Sequence, residues 1–470
     1  YLPTRAAVAS ATGDSVAEAG LRIRLAITAP LSLADLPIDS LPLFIDGGQD
    51  VPNLLYQQLL SDCIGVRLCS PERGRRGAWV EPAGPILPVG FGPDEALLPS
   101  DLRSFRGYRL LCEYFAMPEK FRFVSLNGLR AGFARAEKEI DIVVLFRRPV
   151  PSLASAISAD SLRLFATPVI NLFERRFDRI IVDSRRDEHI VIPDRAGQLD
   201  YEVYRLDSVT GYAKDEPAGY SVLPLYARRA QRGVKPLFYS LRRRMRRLSE
   251  AETRRRRESD YIGTETWISL SSPDDPSLVQ SIAELGIRGL VTNRALATRL
   301  RPGSANLEIS LADAKGVDSV KILRGPTRPQ PPLGLGDAAW RIVSHLAPGH
   351  HGFVDDAGSP DLLADHLSLY LRDEAPALRR EIQGITGLVS ENVTRRADGS
   401  ARLAFQRGQR ISMMLAAGSY DAGSAYLFTS VVARFLGEFA TINSFTECEV
   451  RTDNGLVWGW DACRGQRPTI

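Results

Sequence analysis

Between Leu427 and Ile442 apolar side chains return every three or four residues, at Leu427, Phe428, Val431, Val432, Phe435, Leu436, Phe439 and Ile442. This spacing draws an apolar stripe along one side of an α-helix, and such a stripe is stable only against a partner surface. The chain must therefore supply a sheet or helix face to cover it. The nearest suppliers are residues 402–415 and 446–451, so the stripe reads as a core helix lying on strands, with a subunit interface as its other use.

Elsewhere the dominant period is two. Residues 21–27 place Leu21, Ile23, Leu25 and Ile27 on one face and Arg22, Arg24 and Ala26 on the other, the pattern of a strand wet on one side. A one-sided strand belongs to an antiparallel sheet. Further strands are expected at 43–46, 140–146, 179–183, 190–193, 202–209, 266–270 and 321–323, and helices at 53–62 with Asn53 as cap, 106–115 and 338–346. Strands and helices mix without a βαβ rhythm. The expected fold class is α+β: multidomain, rich in antiparallel β-strands, with a C-terminal α/β domain carrying the long amphipathic helix.

With 470 residues the chain exceeds what one hydrophobic core usually serves. Proline and glycine crowd residues 70–95, which read as an irregular connection, and again 324–336, where Pro326, Pro329, Pro331 and Pro332 stiffen a crossing between domains. With the charge-dense segment 211–260, these cuts give four expected domains. They are 1–95, β-rich; 96–215, mixed α+β; 216–335, β-rich with an arginine-rich loop; and 336–470, C-terminal α+β.

A search for chemistry finds none. There is no phosphate-binding loop, nucleophile elbow, zinc-protease helix or calcium loop, and Gly334-Leu335-Gly336 lacks the third glycine and the preceding strand of a dinucleotide site. The adjacent His350 and His351 project apart on regular backbone, so they read as loop histidines rather than metal ligands. No catalytic, cofactor-binding or metal-binding residue is assigned, and the chain is read as no enzyme. Five cysteines with no C-x-x-C pair point to reduced thiols in the cytoplasm. There the Asn392-Val393-Thr394 acceptor pattern goes unused. No apolar run approaches a membrane span, and no signal peptide is expected from the opening residues, which show no charged segment followed by an apolar core.

Of 60 basic residues only Lys120, Lys138, Lys214, Lys235, Lys315 and Lys321 are lysine, and the arginines concentrate at one place. Arg242, Arg243, Arg244, Arg246, Arg247, Arg254, Arg255, Arg256 and Arg257 face only Glu250 and Glu252 within residues 242–257. A solvated loop, a patch for an acidic protein surface and a nucleic-acid contact all use such charge. The missing RNP, zinc-finger or helix-turn-helix context argues against nucleic acid. Forked guanidinium contacts favour the protein partner.

Several blocks together resemble a known family. They are Gly90-Phe91-Gly92 with Glu95-Ala96-Leu97-Leu98-Pro99, Ser104 to Leu111, Glu113 to Phe121, Asn171-Leu172-Phe173, Pro193-Asp194-Arg195 and Tyr201-Glu202-Val203-Tyr204. Tyr261-Ile262-Gly263-Thr264-Glu265, Thr292-Asn293-Arg294, Leu323 to Thr327, Trp340, Ser344-His345-Leu346 and Ile442-Asn443-Ser444-Phe445 follow in order. The series, spread over residues 40–465, is similar to TssF, also called VasA or ImpG, of the type VI secretion baseplate.

The resemblance implies a structural subunit of the baseplate wedge, without cofactor, membrane insertion or nucleic acid. Implied partners are TssG, at two TssF copies to one TssG, the second TssF copy, TssK, TssE, the VgrG spike and the contractile sheath subunits. It implies a cytoplasmic location, docked under the inner-membrane complex. Family members begin with a further helical segment that this chain is expected to lack. On this reading the nine arginines form an exposed hairpin or loop that binds a neighbouring subunit. Trp340 to Leu346 and Asn443 to Phe445 are buried in the C-terminal domain, Asn443-Ser444 stopping the long helix. The alternatives are a β-rich carbohydrate-active hydrolase, which would need a converging carboxylate pair, and a basic nucleic-acid-binding protein, which would show steep salt dependence.

Overall fold

The computed structural model describes residues 1–28, 30–48, 50–71, 78–99, 105–214, 218–227, 236–248, 250, 253, 261–303, 309–313, 316–332, 340, 360–371, 375–396, 405–452 and 455–465. The chain is a multidomain α+β protein. It divides into two compact units, Tyr1–Val169 together with Arg341–Ile470, and Ile170–Trp340. The expected cut at 95 falls inside the first unit, and that at 335 lies near the end of the second.

The first part of the discontinuous unit builds two four-stranded sheets. Strands β1 (Ala19–Ala26), β2 (Ser40–Ile45), β3 (Cys63–Cys69), β4 (Val80–Pro82), β5 (Ile86–Val89), β6 (Phe123–Asn127), β7 (Glu139–Phe146) and β8 (Leu162–Arg163) fall into the orders β1-β7-β3-β4 and β5-β6-β2-β8. β7 is buried along nearly its whole length because β1 and β3 flank it. Its Asp141 stands opposite Arg24, which grips it at 2.7 Å. β4 and β5 lie within the stretch expected to be irregular. Their prolines are tolerated because both strands are sheet edges, where an absent N–H costs no ladder bond.

Helices accompany these sheets, among them α1 (Arg5–Thr12), α2 (Val51–Ser61) and α3 (Arg106–Ala116), with shorter ones at Arg130–Phe133 and Pro151–Ala156. α2 starts before the expected cap. Asp50 is its N-cap, Pro52 occupies the first turn, and Asn53 lies inside the helix.

The second unit is one eight-stranded sheet made from β9 (Phe173–Arg176), β10 (Ile180–Ile181), β11 (His189–Ile190), β12 (Glu202–Ala213), β13 (Gly219–Pro224), β14 (Leu237–Met245), β15 (Thr264–Ser271) and β16 (Ile282–Thr292). Its order is β10-β16-β12-β13-β14-β15-β11, with β9 also on β16. All pairings are antiparallel except β13 with β14. The core gathers Ile268, Leu285, Ile287 and Val291, all essentially inaccessible. Residues 321–323 form no strand.

The C-terminal part of the first unit holds α4 (Asp361–Ser368), α5 (Pro376–Gln383), β17 (Ile385–Arg396), β18 (Phe405–Leu415), α6 (Ser424–Gly437), β19 (Ser444–Thr452) and β20 (Gly455–Arg464). The sheet order follows the chain, with β18 and β19 parallel across the α6 connection. α6 is the expected core helix. It packs on β19 and β20 and also on α2 and α3, which joins the two ends of the chain in one unit. Phe435 meets Phe105 at 6.2 Å, Phe428 meets Tyr114 at 6.3 Å and Tyr426 meets Tyr56 at 6.0 Å between ring centroids. Each such buried side chain contributes about 2 kcal/mol relative to exposure. Gly423 (φ +80°) starts the helix against the α2 backbone, where a Cβ would lie 2.5 Å from Leu54 N.

α6 ends earlier than the stripe suggested. It stops at Gly437, while Phe439 and Ala440 remain buried in the following turn and Ile442 is 48% exposed. Asn443, expected to be buried, is exposed with φ +69°, in the left-handed region that asparagine tolerates. Trp340 is likewise exposed, and residues 341–346 lie outside the described set, as do His350, His351 and Gly334 to Gly336.

Candidate partner interface

The first arginine run is not a loop. Arg242, Arg243 and Arg244 lie on β14, paired opposite Trp267, Thr266 and Glu265 of β15. Alternate residues of a strand face opposite ways, and the arginines divide accordingly. Arg244 forms an ion pair with Glu188 and lies over the Trp267 ring at 5.2 Å, while Arg242 reaches the same carboxylate at 3.6 Å. Arg243 turns the other way and donates from Nη2 to the carbonyls of Val203 (3.0 Å) and Tyr204 (2.9 Å). Arg246 donates to Gln198 O at 3.1 Å and nears Glu265 at 3.9 Å. The acids that pair with these arginines, Glu188 and Glu265, lie outside residues 242–257 and arrive through the fold.

Two members of the run keep outward charge. Arg242 leaves 68% of its side chain exposed, and the exposed Arg247 makes no ion pair among the described residues. Arg254, Arg255, Arg256 and Arg257 lie outside the described residues.

Behind β14 the sequence blocks converge on Glu202. Its Oε1 accepts the Thr264 N–H (2.8 Å) and the Thr264 hydroxyl (2.5 Å), and its Oε2 accepts the Tyr261 hydroxyl (2.7 Å). Burial, and then Glu202, push the Tyr261 phenol well above its ordinary pKa. Arg294, itself left-handed at φ +52°, is buried beside them, and burial pulls its guanidinium pKa down. Gly263 (φ +77°) leaves it room, since a Cβ there would stand 2.5 Å from Arg294 Nη2 and 2.9 Å from Glu202 Oε2. Tyr261 also donates to Gln330 O at 3.4 Å, which ties the proline-rich crossing to the same corner. Thr292-Asn293-Arg294 is linked to the Asn171 block by Asn293 N–H donating to Asn171 Oδ1 at 3.4 Å.

A second node gathers the blocks of the first unit. Glu95 Oε2 accepts the N–H groups of Gly90 and Gly92, both at 2.8 Å. Glu113 Oε1 accepts those of Leu97 and Leu98, both at 2.9 Å, and its Oε2 takes Lys120 Nζ in an ion pair. Lys120 also donates to Gly90 O at 2.8 Å and is 1% exposed; burial lowers its ammonium pKa against the pull of Glu113. Nothing in the sequence of these blocks marks Glu113 and Lys120 as a pair. Glu113 and Lys120 lie on different elements, and only the fold brings them together.

Among the described residues no group of three or more histidines, cysteines or acids stands close enough to hold a metal ion, and no helix is long and apolar enough to cross a membrane. The two nodes are saturated with internal hydrogen bonds and ion pairs. Their chemistry is that of fixed geometry.

The family model described as "Type VI secretion system, TssF" matches residues 1–467, which makes the chain a type VI secretion component. More narrowly, it belongs to the TssF family. It is 35% identical over 466 residues to type VI secretion system component TssF1 of Pseudomonas aeruginosa strain PAO1, a match covering 98% of this chain and 74% of that protein. Its fold is similar to a chain in the cryo-electron microscopy structure of the type VI TssK-TssF-TssG baseplate subcomplex. The TM-score is 0.67 at 23% identity, over 96% of this chain and 79% of the other. A chain of another solved structure, the type VI baseplate complex, aligns with TM-score 0.48 at 23% identity, over 78% of this chain and 60% of that one.

Proposed function

We propose that the chain is a structural, non-catalytic subunit of a type VI secretion baseplate wedge, working at the cytoplasmic face of the inner membrane. The observation that carries this reading is the family match across 1–467, supported by the TssF1 relative and by the fold shared with a chain of a TssK-TssF-TssG assembly. In the proposed wedge two copies join one TssG-like subunit and contact TssK. Links to TssE, the VgrG spike and the sheath complete the proposal. A scaffold of this kind needs units whose shape survives load, and the Glu202 and Glu113 nodes provide it by spending buried charge on internal bonds.

The partner-facing part of the arginine block is then Arg242 and Arg247, joined by Arg254 to Arg257, offered to an acidic surface on a neighbouring subunit. Reversing charge with Arg242→Glu and Arg247→Glu, and in a second variant replacing Arg254 to Arg257 by serine, tests this in pull-downs with TssG and TssK. The expected result is weakened recovery of partners at low salt, with the wild-type interaction itself fading as salt rises. Unchanged recovery at low and moderate salt overturns the assignment of this surface.

A further inference from the structure

Among the described residues most sheet edges are short. β4, β5, β8, β9, β10 and β11 end their sheets with two to four residues each. β1 is longer, but its edge carries the bridge between Leu2 and Gly20. β20 has ten residues, and two register shifts interrupt its pairing with β19. β17 is different. It is twelve residues long, stands at the end of its sheet, and holds unbroken register with β18 from Gly387 to Arg396.

Among the described residues no strand pairs with its outer side. Half of the N–H and C=O groups along 387–396 therefore point outward, a ready template for an added strand. Natural edges are usually blunted by shortness, proline or bulges. This one has no proline, and its single register shift sits at its first residues.

Among the described residues, the outer end of the same pair of strands carries a charge imbalance. Arg396 stands opposite Phe405 and Thr394 opposite Arg407, so Arg396 and Arg407 are diagonal neighbours on one face. Both are exposed, and Phe405 beside them is 69% exposed. Neighbouring arginines of this sheet have acids of their own. Arg395 and Arg410 clamp Glu447, and Arg451 holds Glu449 at 2.7 Å. Arg396 and Arg407 form no ion pair among the described residues, and like charges placed diagonally repel. An arginine pair beside an exposed aromatic is the composition of a binding hot spot for an acidic partner.

We propose that the β17 edge receives an extended segment of a neighbouring protein, added as a fifth strand, whose acidic side chains meet Arg396 and Arg407 while an apolar one covers Phe405. This contact rests on the assembly reading above and specifies one of its joints. Backbone pairing supplies the geometry, and the arginines supply the choice of partner.

The test uses the full chain and a labelled seven-residue peptide with glutamate, leucine, glutamate and glutamate at its odd positions, which share one face of a strand, and threonine at its even positions, with a counterpart carrying lysine for each glutamate as control. The glutamate peptide should bind saturably, at least about tenfold tighter than the lysine peptide, and Arg396→Glu with Arg407→Glu should reverse the preference. Both substituted residues are exposed, so the fold is expected to persist. Hydrogen exchange with peptide bound should slow alternate amides in 387–396. Equal binding of the two peptides, or none, overturns the proposal; so does charge-dependent binding that leaves β17 exchange unchanged. A chain that dimerises by light scattering, with the double variant monomeric, assigns the edge to a second copy and overturns it too. Failure of the chain to bind TssG and TssK counts against the baseplate reading alone, because the peptide result stands without them.

Discussion

Lys120→Met isolates the energetics of the node in the first unit. The substitution removes an ammonium that is almost wholly buried and bonded to Gly90 O and Glu113. Burial already lowers the Lys120 pKa, so the larger loss is the orphaning of the Glu113 carboxylate. Removing one partner of a buried pair costs about 3–5 kcal/mol. Glu113 keeps the Leu97 and Leu98 N–H groups at 2.9 Å and Arg109 at 3.7 Å, which places the cost at the lower end, about 3 kcal/mol.

A local loss of that size speeds amide exchange in α3 and β6 about a hundredfold at neutral pH. The double variant Glu113→Gln with Lys120→Met removes both charges while leaving an acceptor for Leu97 and Leu98. Its amides should exchange more slowly than the sum of the single effects allows. An exchange change below about threefold in Lys120→Met, or strict additivity in the double variant, would refute the view that a coupled buried pair holds this corner.

In the second unit, Gly263→Ala forces a left-handed alanine, worth about 1–2 kcal/mol, onto Arg294 and Glu202, and should lower the thermal stability of that unit by at least this amount; a neutral variant would count against the node. Tyr261→Phe gives up the bonds to Glu202 and Gln330 and should cost about 1.5 kcal/mol, read by exchange of β15. Burial raises the Glu381 carboxyl pKa above 4.5, so the folded state holds its proton longer than the unfolded one. The stability it contributes is complete below pH 4.5 and is lost as pH climbs through the raised value. Glu381→Gln should therefore match wild type near pH 4.5 and exceed it at pH 7 in thermal midpoint.

Side-chain period carried most of the local structure. The alternation at 21–27 appears as Ala19–Ala26, the apolar run at 140–146 as Glu139–Phe146, and the long stripe as a core helix. Periodicity overran the helix end because Phe439 and Ala440 stay buried in the turn beyond Gly437. Proline content hid β4 and β5, since edge strands are where proline is tolerated. The parallel pairs β13-β14 and β18-β19, and the union of the two chain ends through α6, depend on long-range packing that no local pattern records. In the candidate interface the arginine density was legible, but not its strand geometry. Nor were the acids that Glu188, Glu202 and Glu265 bring from distant segments.

The central claim is that this chain is an assembly scaffold of the type VI baseplate. Native mass spectrometry of the tagged chain purified from cells expressing TssG and TssK measures it directly. The expected result is a discrete complex in which two copies of the chain accompany one TssG, with TssK attached. Recovery of the chain by itself, while TssG and TssK associate without it, would contradict the account.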